Sequence, residues 1–485
     1  MAYYAYITKI KNIRKAENSD FLYLCDVFGT NVIINKDYNE NDLYIYFPTD
    51  GQLSEEYCKY NDLIRRKDEN GKPAGGYLDP GKRNIKTLKL RGNLSDGLIM
   101  PLSSLNYINS NVVENLKEGD RIDILDKHLI CNKYIPRSNK TNNNTKKGNR
   151  TRKKKVNIAP LFAEHADTEQ LAYNLNAFHA GDQIEITLKM HGTSQRTGYL
   201  PIFKPRKFKI LDKIFKPKYE YGYVNGTRRT VLEDFDGGYY GSNEFRRLTS
   251  KVFDGKLLKG ETVYYEVLGF DDNGNPIMPI GNNKKINDKE FIKRYGDTTV
   301  FSYGCDPDNG FADVIYPYTQ PAIPSHGILE PGEIIPKTTL YVYRMTMTNE
   351  DGDVIEYTPD YMRYRCDQMG VKCVPVFWKG YIPEEATDGL VRSEDFITDE
   401  NGEFSEWLLK TPGDYIKDIA EQFYDGPDPI GKTHIREGVV VRVVNRPKFT
   451  AYKHKNTNFK IISGIAKEDF IDANNNINTD ILLEI

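Results

Sequence analysis

Four short segments place charge where a strand would normally be apolar. Lys189 closes the alternating run Asp182–Lys189 and is followed by Met190-His191-Gly192-Thr193-Ser194. Glu266 interrupts the apolar and aromatic run Val263-Tyr264-Tyr265-Glu266-Val267-Leu268-Gly269, and Glu437 heads Glu437-Gly438-Val439-Val440-Val441-Arg442. Lys453 and Lys455, in Tyr452-Lys453-His454-Lys455, stand two residues apart and so share one face of a strand. Taken singly, each has a plain structural reading. Lys189 would be a surface lysine, Glu266 an ion-pair partner, Glu437 an edge charge, and the two lysines a solvated face. Buried strands avoid charge, so four that each break the habit point to one shared polar cleft. It would gather lysine amines, two carboxylates and Gly192, which lets backbone approach a ligand.

The elements that must position these residues follow from patterning. In Asp182–Lys189, Ile184, Ile186 and Leu188 point one way and Glu185, Thr187 and Lys189 the other. Further strands are expected at Thr262–Phe270, Thr338–Thr346, Gly438–Val444 and Asn458–Ile462. Helices are expected at Ala163–Leu175, with Asp167 or Thr168 as its cap, and at Asp288–Tyr295, Pro359–Met369 and Pro412–Tyr424. This block reads as α+β. The N-terminal ~130 residues read instead as short strands, at Tyr3–Lys9, Phe21–Phe28, Asn31–Ile34 and Leu43–Phe47, separated by Asn, Asp and Gly. Lys86–Arg91 and Gly97–Met100 would close a small barrel or sandwich. The domains expected are 1–135, a basic flexible linker at 136–156, and 157–485.

Composition narrows the classes. In 485 residues, 39% are hydrophobic and 28% charged, which excludes global disorder. No apolar run approaches the ~18 residues of a membrane span, and the N-terminus has no secretory pattern. Six scattered cysteines without a CxxC argue against a disulfide framework or a zinc knuckle, so a reducing cytoplasm is the simplest compartment. The net charge of −2 argues against a purely electrostatic nucleic-acid binder, yet Arg137–Lys155 holds nine Lys or Arg and no acid. Such a run is a candidate phosphate contact or a solvated linker.

Together these residues resemble the covalent nucleotidyltransferases, and among them the ATP-dependent RNA ligases. Lys189-Met190-His191-Gly192 is similar to that family's KxHG nucleophile motif, Glu266 to its third motif, Glu437 to its fourth, and Lys453 with Lys455 to its fifth, in the family's order. Leu340-Tyr341-Val342-Tyr343-Arg344 resembles the motif whose aromatic stacks on adenine, through Tyr341 or Tyr343. Gly226-Thr227-Arg228-Arg229 lies where the family keeps an arginine, Arg228 first and Arg229 as the substitute. The resemblance covers roughly Ala163 to Gly464 and implies an α+β nucleotidyltransferase domain, an ATP-grasp-like ligase fold, preceded by a small β-barrel OB-like domain. Tyr46-Phe47-Pro48-Thr49-Asp50-Gly51 and Lys89-Leu90-Arg91-Gly92 fit that barrel. Insertions are implied at 271–337 and 349–428.

The resemblance further implies ATP and Mg²⁺ or Mn²⁺ as cofactors, RNA as partner, no membrane, and a monomer. Lys189 would form lysyl-AMP. His191, Gly192, Arg228, Glu266, Tyr341, Tyr343, Lys453 and Lys455 would bind the nucleotide. Glu437, and Glu266 unless it holds the ribose hydroxyls, would bind the metal. Sealing would pass through an RNA-adenylate, joining 3′-OH to 5′-phosphate ends, as RNA repair requires. DNA-nick ligases and capping-type guanylyltransferases carry an OB domain after the fifth motif, whereas only ~30 residues follow Lys455 here. A non-catalytic RNA-binding OB protein is the reading from another class, and the presence of Lys189 and both carboxylates speaks against it.

Overall fold

The structure is a computed structural model that describes residues 3–16, 22–49, 51–67, 69, 74–90, 93–134, 158–207, 217–232, 235, 243–271, 277–278, 289–295, 311–315, 332, 334–398, 404–430, 435–463 and 466–468. The basic run Arg137–Lys155 and most of 271–337 lie outside the described residues. The chain divides into two compact units. One comprises Met1–Arg137, Lys285–Asn287 and Lys460–Ile485; the other comprises Ser138–Lys284 and Asp288–Phe459.

The first unit is built of short strands. Arg121–Ile122, Ala5–Thr8, Tyr44–Phe47 and Leu98–Pro101 form one antiparallel sheet, and Lys11–Lys15, Tyr23–Val27 and Thr30–Ile34 a second. Ile7, Ile45, Phe47, Tyr57, Met100 and Ile122 fill its core. A third sheet pairs Thr87–Leu90 with Asn93–Asp96, and Ala466–Glu468 joins it in parallel beside Thr87–Leu90. The domain boundaries expected from sequence gave everything after 157 to the second unit. The contacts instead group the chain from Lys460 onward with the first.

Two sheets of the second unit carry the candidate residues. One has the order Glu169–Gln170, Thr450–Lys455, Gly438–Val443, Gln183–Leu188, Val376–Tyr381. Ile184, Ile186, Val439, Val441 and Val443 turn one face of this sheet onto the helix Pro412–Phe423, where Ile416 and Ala420 are fully buried. The alternation read in Asp182–Lys189 therefore holds. Glu185, Thr187, Val440, Lys453 and Lys455 belong to the opposite face, because cross-strand partners share a face. Glu185 is 4% exposed and takes Arg363 at 2.7 Å, so a charge beneath this face is neutralised by the helix Pro359–Met369.

The other sheet runs Val231–Leu232, Tyr219–Gly226, Thr193–Phe203, Glu261–Gly269, Ile334–Thr348, Phe311–Ile315, with Val354–Glu356 also on Ile334–Thr348. Val263, Tyr265 and Val267 pack with Phe245, Met362 and Cys366 from the helices Glu244–Lys251 and Pro359–Met369. By the two-residue period, Tyr264 and Glu266 face the other way.

Two expected elements differ. Ala163–Leu175 is not a helix: it is extended, pairs at Glu169–Gln170 with Tyr452–Lys453, and ends in two three-residue 3₁₀ turns. Asn458–Ile462 is not a strand but part of the helix Thr457–Ile462, and the Asn456 side chain accepts from the Phe459 N–H at 3.1 Å. Among the described residues no helix is long and apolar enough to cross a membrane, and Cys25, Cys58, Cys131, Cys366 and Cys373 are free thiols.

Candidate active site

Lys189 leaves the Gln183–Leu188 strand with its N–H donating to the Gly438 carbonyl at 3.0 Å, which ties it to the residue after Glu437. Lys189 Nζ lies 2.7 Å from Glu437 Oε1, and Lys455 Nζ lies 3.2 Å from the same oxygen. Glu437 Oε2 lies 3.4 Å from His191 Nδ1. Burial alone would raise the Glu437 pKa. Lys189, Lys455 and His191 overcome that and hold it well below the ordinary carboxylate range. At 4% exposure, Glu437 makes an ion pair with each of these three groups. The backbone demands glycine next to it. Gly438 has φ +140°, and a Cβ there would lie 2.0 Å from the His454 carbonyl oxygen.

Gly192 also has a structural reason. A Cβ on it would lie 2.4 Å from the Val267 carbonyl oxygen and 2.9 Å from Glu266 Cγ. The sequence suggested that this glycine admits a ligand; the close neighbour it admits is the strand that carries Glu266. His191 packs edge-on against Phe459, with ring centroids 4.9 Å apart.

Glu266 stands opposite Ser194 on one side and Tyr341 on the other. Its pKa is raised to about 7. Burial is the main cause, and the Glu437 charge adds to it, against opposing pulls from Lys189, Arg246 and Arg228. The two carboxylates are thus driven in opposite directions. A pair of titratable groups pushed apart in this way marks a functional site more often than a structural pair.

The two candidate tyrosines differ. Tyr341 is 3% exposed. The pairing of Tyr264 with Arg344 and of Tyr265 with Val342 leaves Tyr343 as the extra residue of a bulge, a device that re-aims a side chain. Tyr343 keeps some exposure, with its hydroxyl 3.3 Å from Ser194 Oγ and its ring 5.3 Å from His165.

Asp167 caps no helix. It takes Arg228 at 2.5 Å and Arg229 at 2.8 Å, and the Arg228 carbonyl accepts from the His165 N–H. Burial, then Arg228 and Arg344, push the His165 pKa down to about 3, so its ring is neutral. Its Nδ1 is buried without a hydrogen-bond partner among the described residues.

The structure therefore brings Lys189, His191, Lys455 and Glu437 into direct contact. Glu266 and Arg228 lie within electrostatic reach. Tyr341 is beside Glu266 in register, and Lys453 is opposite Val440 on the Lys455 face. Sequence reasoning missed His165 as a neighbour of Tyr343. It also missed Arg246, which is 3% exposed and donates to Thr193 Oγ1 at 2.6 Å and to the Ser194 carbonyl at 3.1 Å. An Arg246-Arg247 doublet on a short helix carried no signal that one of the two turns inward.

Among the described residues no group of three or more His, Cys, Asp or Glu could hold a metal. A closed zinc site is not what these donors make. One or two carboxylates in oxygen chemistry fit Mg²⁺ or Mn²⁺, which complete their shells with water and substrate phosphates. Glu437 and Glu266 fit that description.

The fold is similar to that of a solved RNA ligase, and its N-terminal part to an OB-fold domain. A family model described as an OB-fold domain matches residues 4–102. An alanine mutant of the Naegleria gruberi RNA ligase with ATP and Mn superposes with a TM-score of 0.52 at 14% identity, covering 96% of this chain and 99% of that one. The same ligase with PPi, and its lysine-to-methionine mutant with AMP and Mn, each give a TM-score of 0.50 at 14% identity, covering 94% of this chain and 97% of theirs. No curated protein matches the sequence.

Proposed function

We propose that this chain is an ATP-dependent RNA ligase that joins 3′-OH and 5′-phosphate ends through lysyl-AMP and an RNA-adenylate. The observation that carries the reading is the Lys189–Glu437–Lys455 contact beside Glu266, in a fold shared with an RNA ligase. The Lys189 amine attacks the ATP α-phosphorus; a P–N bond forms, the P–O bond to the β-phosphate breaks, and pyrophosphate leaves. Glu437 Oε1, 2.7 Å from Nζ, stays ionised and orients the amine, whose proton leaves to water. Lys453 and Lys455 offer point charges to the α-phosphate. A 5′-phosphate oxygen of RNA then displaces the lysine amine and takes the AMP. Last, a 3′-hydroxyl attacks the 5′-phosphate and releases AMP.

Such transfers depend on positioning and charge neutralisation. Tyr343, re-aimed by its bulge and still accessible, is the better adenine platform of the two tyrosines. Arg228, oriented by Asp167, grips the ribose or the 5′-phosphate. Mg²⁺ or Mn²⁺, held by Glu437 and Glu266, would supply charge neutralisation of the phosphates. The domain roles belong to the same proposal: 1–135 contacts RNA, 136–156 is a basic tether, and the unit beginning near 157 carries the chemistry. The enzyme acts as a monomer, and free thiols at all five described cysteines favour a cytoplasmic setting.

Labelled ATP and GTP, followed by RNA and DNA ends, test this reading. Covalent label from ATP alone with sealing of RNA is expected. Label from GTP would make the chain a guanylyltransferase, and sealing of DNA nicks alone would make it a DNA ligase. Absence of any covalent label would leave a non-catalytic RNA-binding protein.

A further inference from the structure

The first unit contains a cavity of about 170 Å³ whose lining includes none of the candidate-site residues. It is lined by the end of the Thr30–Ile34 strand and the chain after it, by residues of the stretch from Tyr77 to Lys86, and by apolar side chains such as Leu88 and Ile99. Its lining offers three kinds of group.

Two aromatic rings come first. Tyr38 is fixed in place: it stacks on Tyr44 with centroids 4.7 Å apart and planes 16° from parallel. Tyr77 faces the same space, and its N–H donates to the Leu63 carbonyl at 3.1 Å, so its backbone is anchored. Next come two side-chain amides, Asn35 and Asn84, each able to both donate and accept. The lining also includes three cations, Arg65, Lys82 and Lys86, against one carboxylate, Asp79. That carboxylate is already committed. It accepts from the backbone N–H groups of Gly81 and Lys82 at 3.0 and 2.9 Å, shaping the turn that presents Lys82. Three cations against one carboxylate make the lining net positive.

An apolar and aromatic lining with side-chain amides suits a planar heterocycle, and its cations suit a phosphate. Proteins that bind single-stranded RNA use this combination, stacking unstacked bases on aromatic rings while cations follow the backbone. A cavity of this size accommodates one base rather than several. We infer that this cavity binds one splayed nucleobase of the RNA strand, with the adjoining phosphate on Arg65, Lys82 and Lys86. The choice of RNA over other polymers rests on the ligase reading above; the pocket and its ligand chemistry do not.

The test uses the full chain and single-stranded RNA of about twelve nucleotides carrying one 4-thiouridine. Irradiation should cross-link the RNA to peptides containing Tyr38 or Tyr77 in the wild type, where folding of a variant is not at issue. Cross-links confined to other peptides overturn the assignment. In parallel, the double variant Lys82→Ala/Lys86→Ala should bind the RNA about tenfold more weakly, with a salt dependence lower by about two phosphate contacts. Unchanged affinity in a folded double variant, checked by its thermal melt, also overturns it. Free UMP or AMP should compete far less per mole than the oligonucleotide. Equal competition would make the pocket a mononucleotide site and defeat the RNA assignment. Lysyl-AMP formation, read on the same samples, should be unchanged. Its absence from the wild type would sink the ligase reading while leaving the cross-link and affinity results to judge the pocket.

Discussion

Each unit buries a carboxylate against lysine, and the two arrangements differ in what they leave over. In the first unit, Asp96 takes Lys460 at 2.7 Å and the Thr87 hydroxyl at 2.6 Å, and both charged side chains are 12% exposed. Burial would raise its pKa; Lys460, with the Thr87 and Thr49 hydroxyls, brings it below the usual value. In the second unit, Glu437 is lowered too, but it faces two lysines and a histidine, and Glu266 beside them is pushed up to about 7. Asp96 is a closed account of one charge each way, completed by hydroxyls. The Glu437 cluster sets two lysines and a histidine on one carboxylate, beside a second carboxylate whose pKa is raised to about 7. A buried ion pair alone says little about function. Three basic groups gathered on one carboxylate, beside a second carboxylate driven the other way, are the informative feature.

The largest expected effect breaks this comparison at the lysines. Lys189→Ala should eliminate covalent AMP, whereas Lys460→Met should keep it and lose stability instead, as read by label incorporation and urea unfolding. If both variants label alike, the two pairs are equivalent and the distinction fails.

The carboxylates come next. Glu437→Ala should slow lysyl-AMP formation by at least about 100-fold. Asp96→Ala should cost about 3–5 kcal/mol of stability by leaving Lys460 unpaired, with labelling of the folded fraction within about twofold of wild type. Near-normal labelling by a folded Glu437→Ala protein would remove Glu437 from the site.

Glu266 offers a smaller, pH-resolved effect. Its folded pKa of about 7 lies above the ordinary 4.5, so the folded state holds the proton more tightly than the unfolded chain. Nucleotide-free protein should therefore lose stability from this group as pH rises from about 4.5 to 7, with no further loss above. Glu266→Gln should lack that loss, gaining on the order of 1–3 kcal/mol over wild type at pH 8 and little at pH 4.5. A difference between the two proteins that does not change with pH would contradict the raised pKa. Smallest is Thr87→Val, which removes one hydroxyl from Asp96. It should cost about 1 kcal/mol and leave labelling untouched.

The sequence made the charged strands legible because a period of two survives wherever one face is a core. Ile184 and Ile186 reach the Pro412–Phe423 side, and Lys189, Glu437 and Lys455 converge on the other. It misled where tertiary contacts overrode local signals. Leu171 and Leu175, at helical spacing, pack instead against the Pro412–Phe423 helix, while Glu169–Gln170 is drawn into a sheet and Asp167 is claimed by Arg228 and Arg229. In Asn458–Ile462 the short apolar run suited either period, and the Asn456 cap decided for helix. Tyr343 could not be separated from Tyr341 because a bulge leaves no mark in the alternation. Arg246 and His165 reach the site through long-range packing that no local pattern encodes.

The central claim is that Lys189 is the nucleophile held by Glu437. Its most direct test is peptide mapping by mass spectrometry of the wild-type protein after incubation with ATP and Mg²⁺ or Mn²⁺. A single AMP adduct on Lys189 is the expected result; an adduct on Lys453, Lys455 or any other lysine, with Lys189 unmodified, would contradict it.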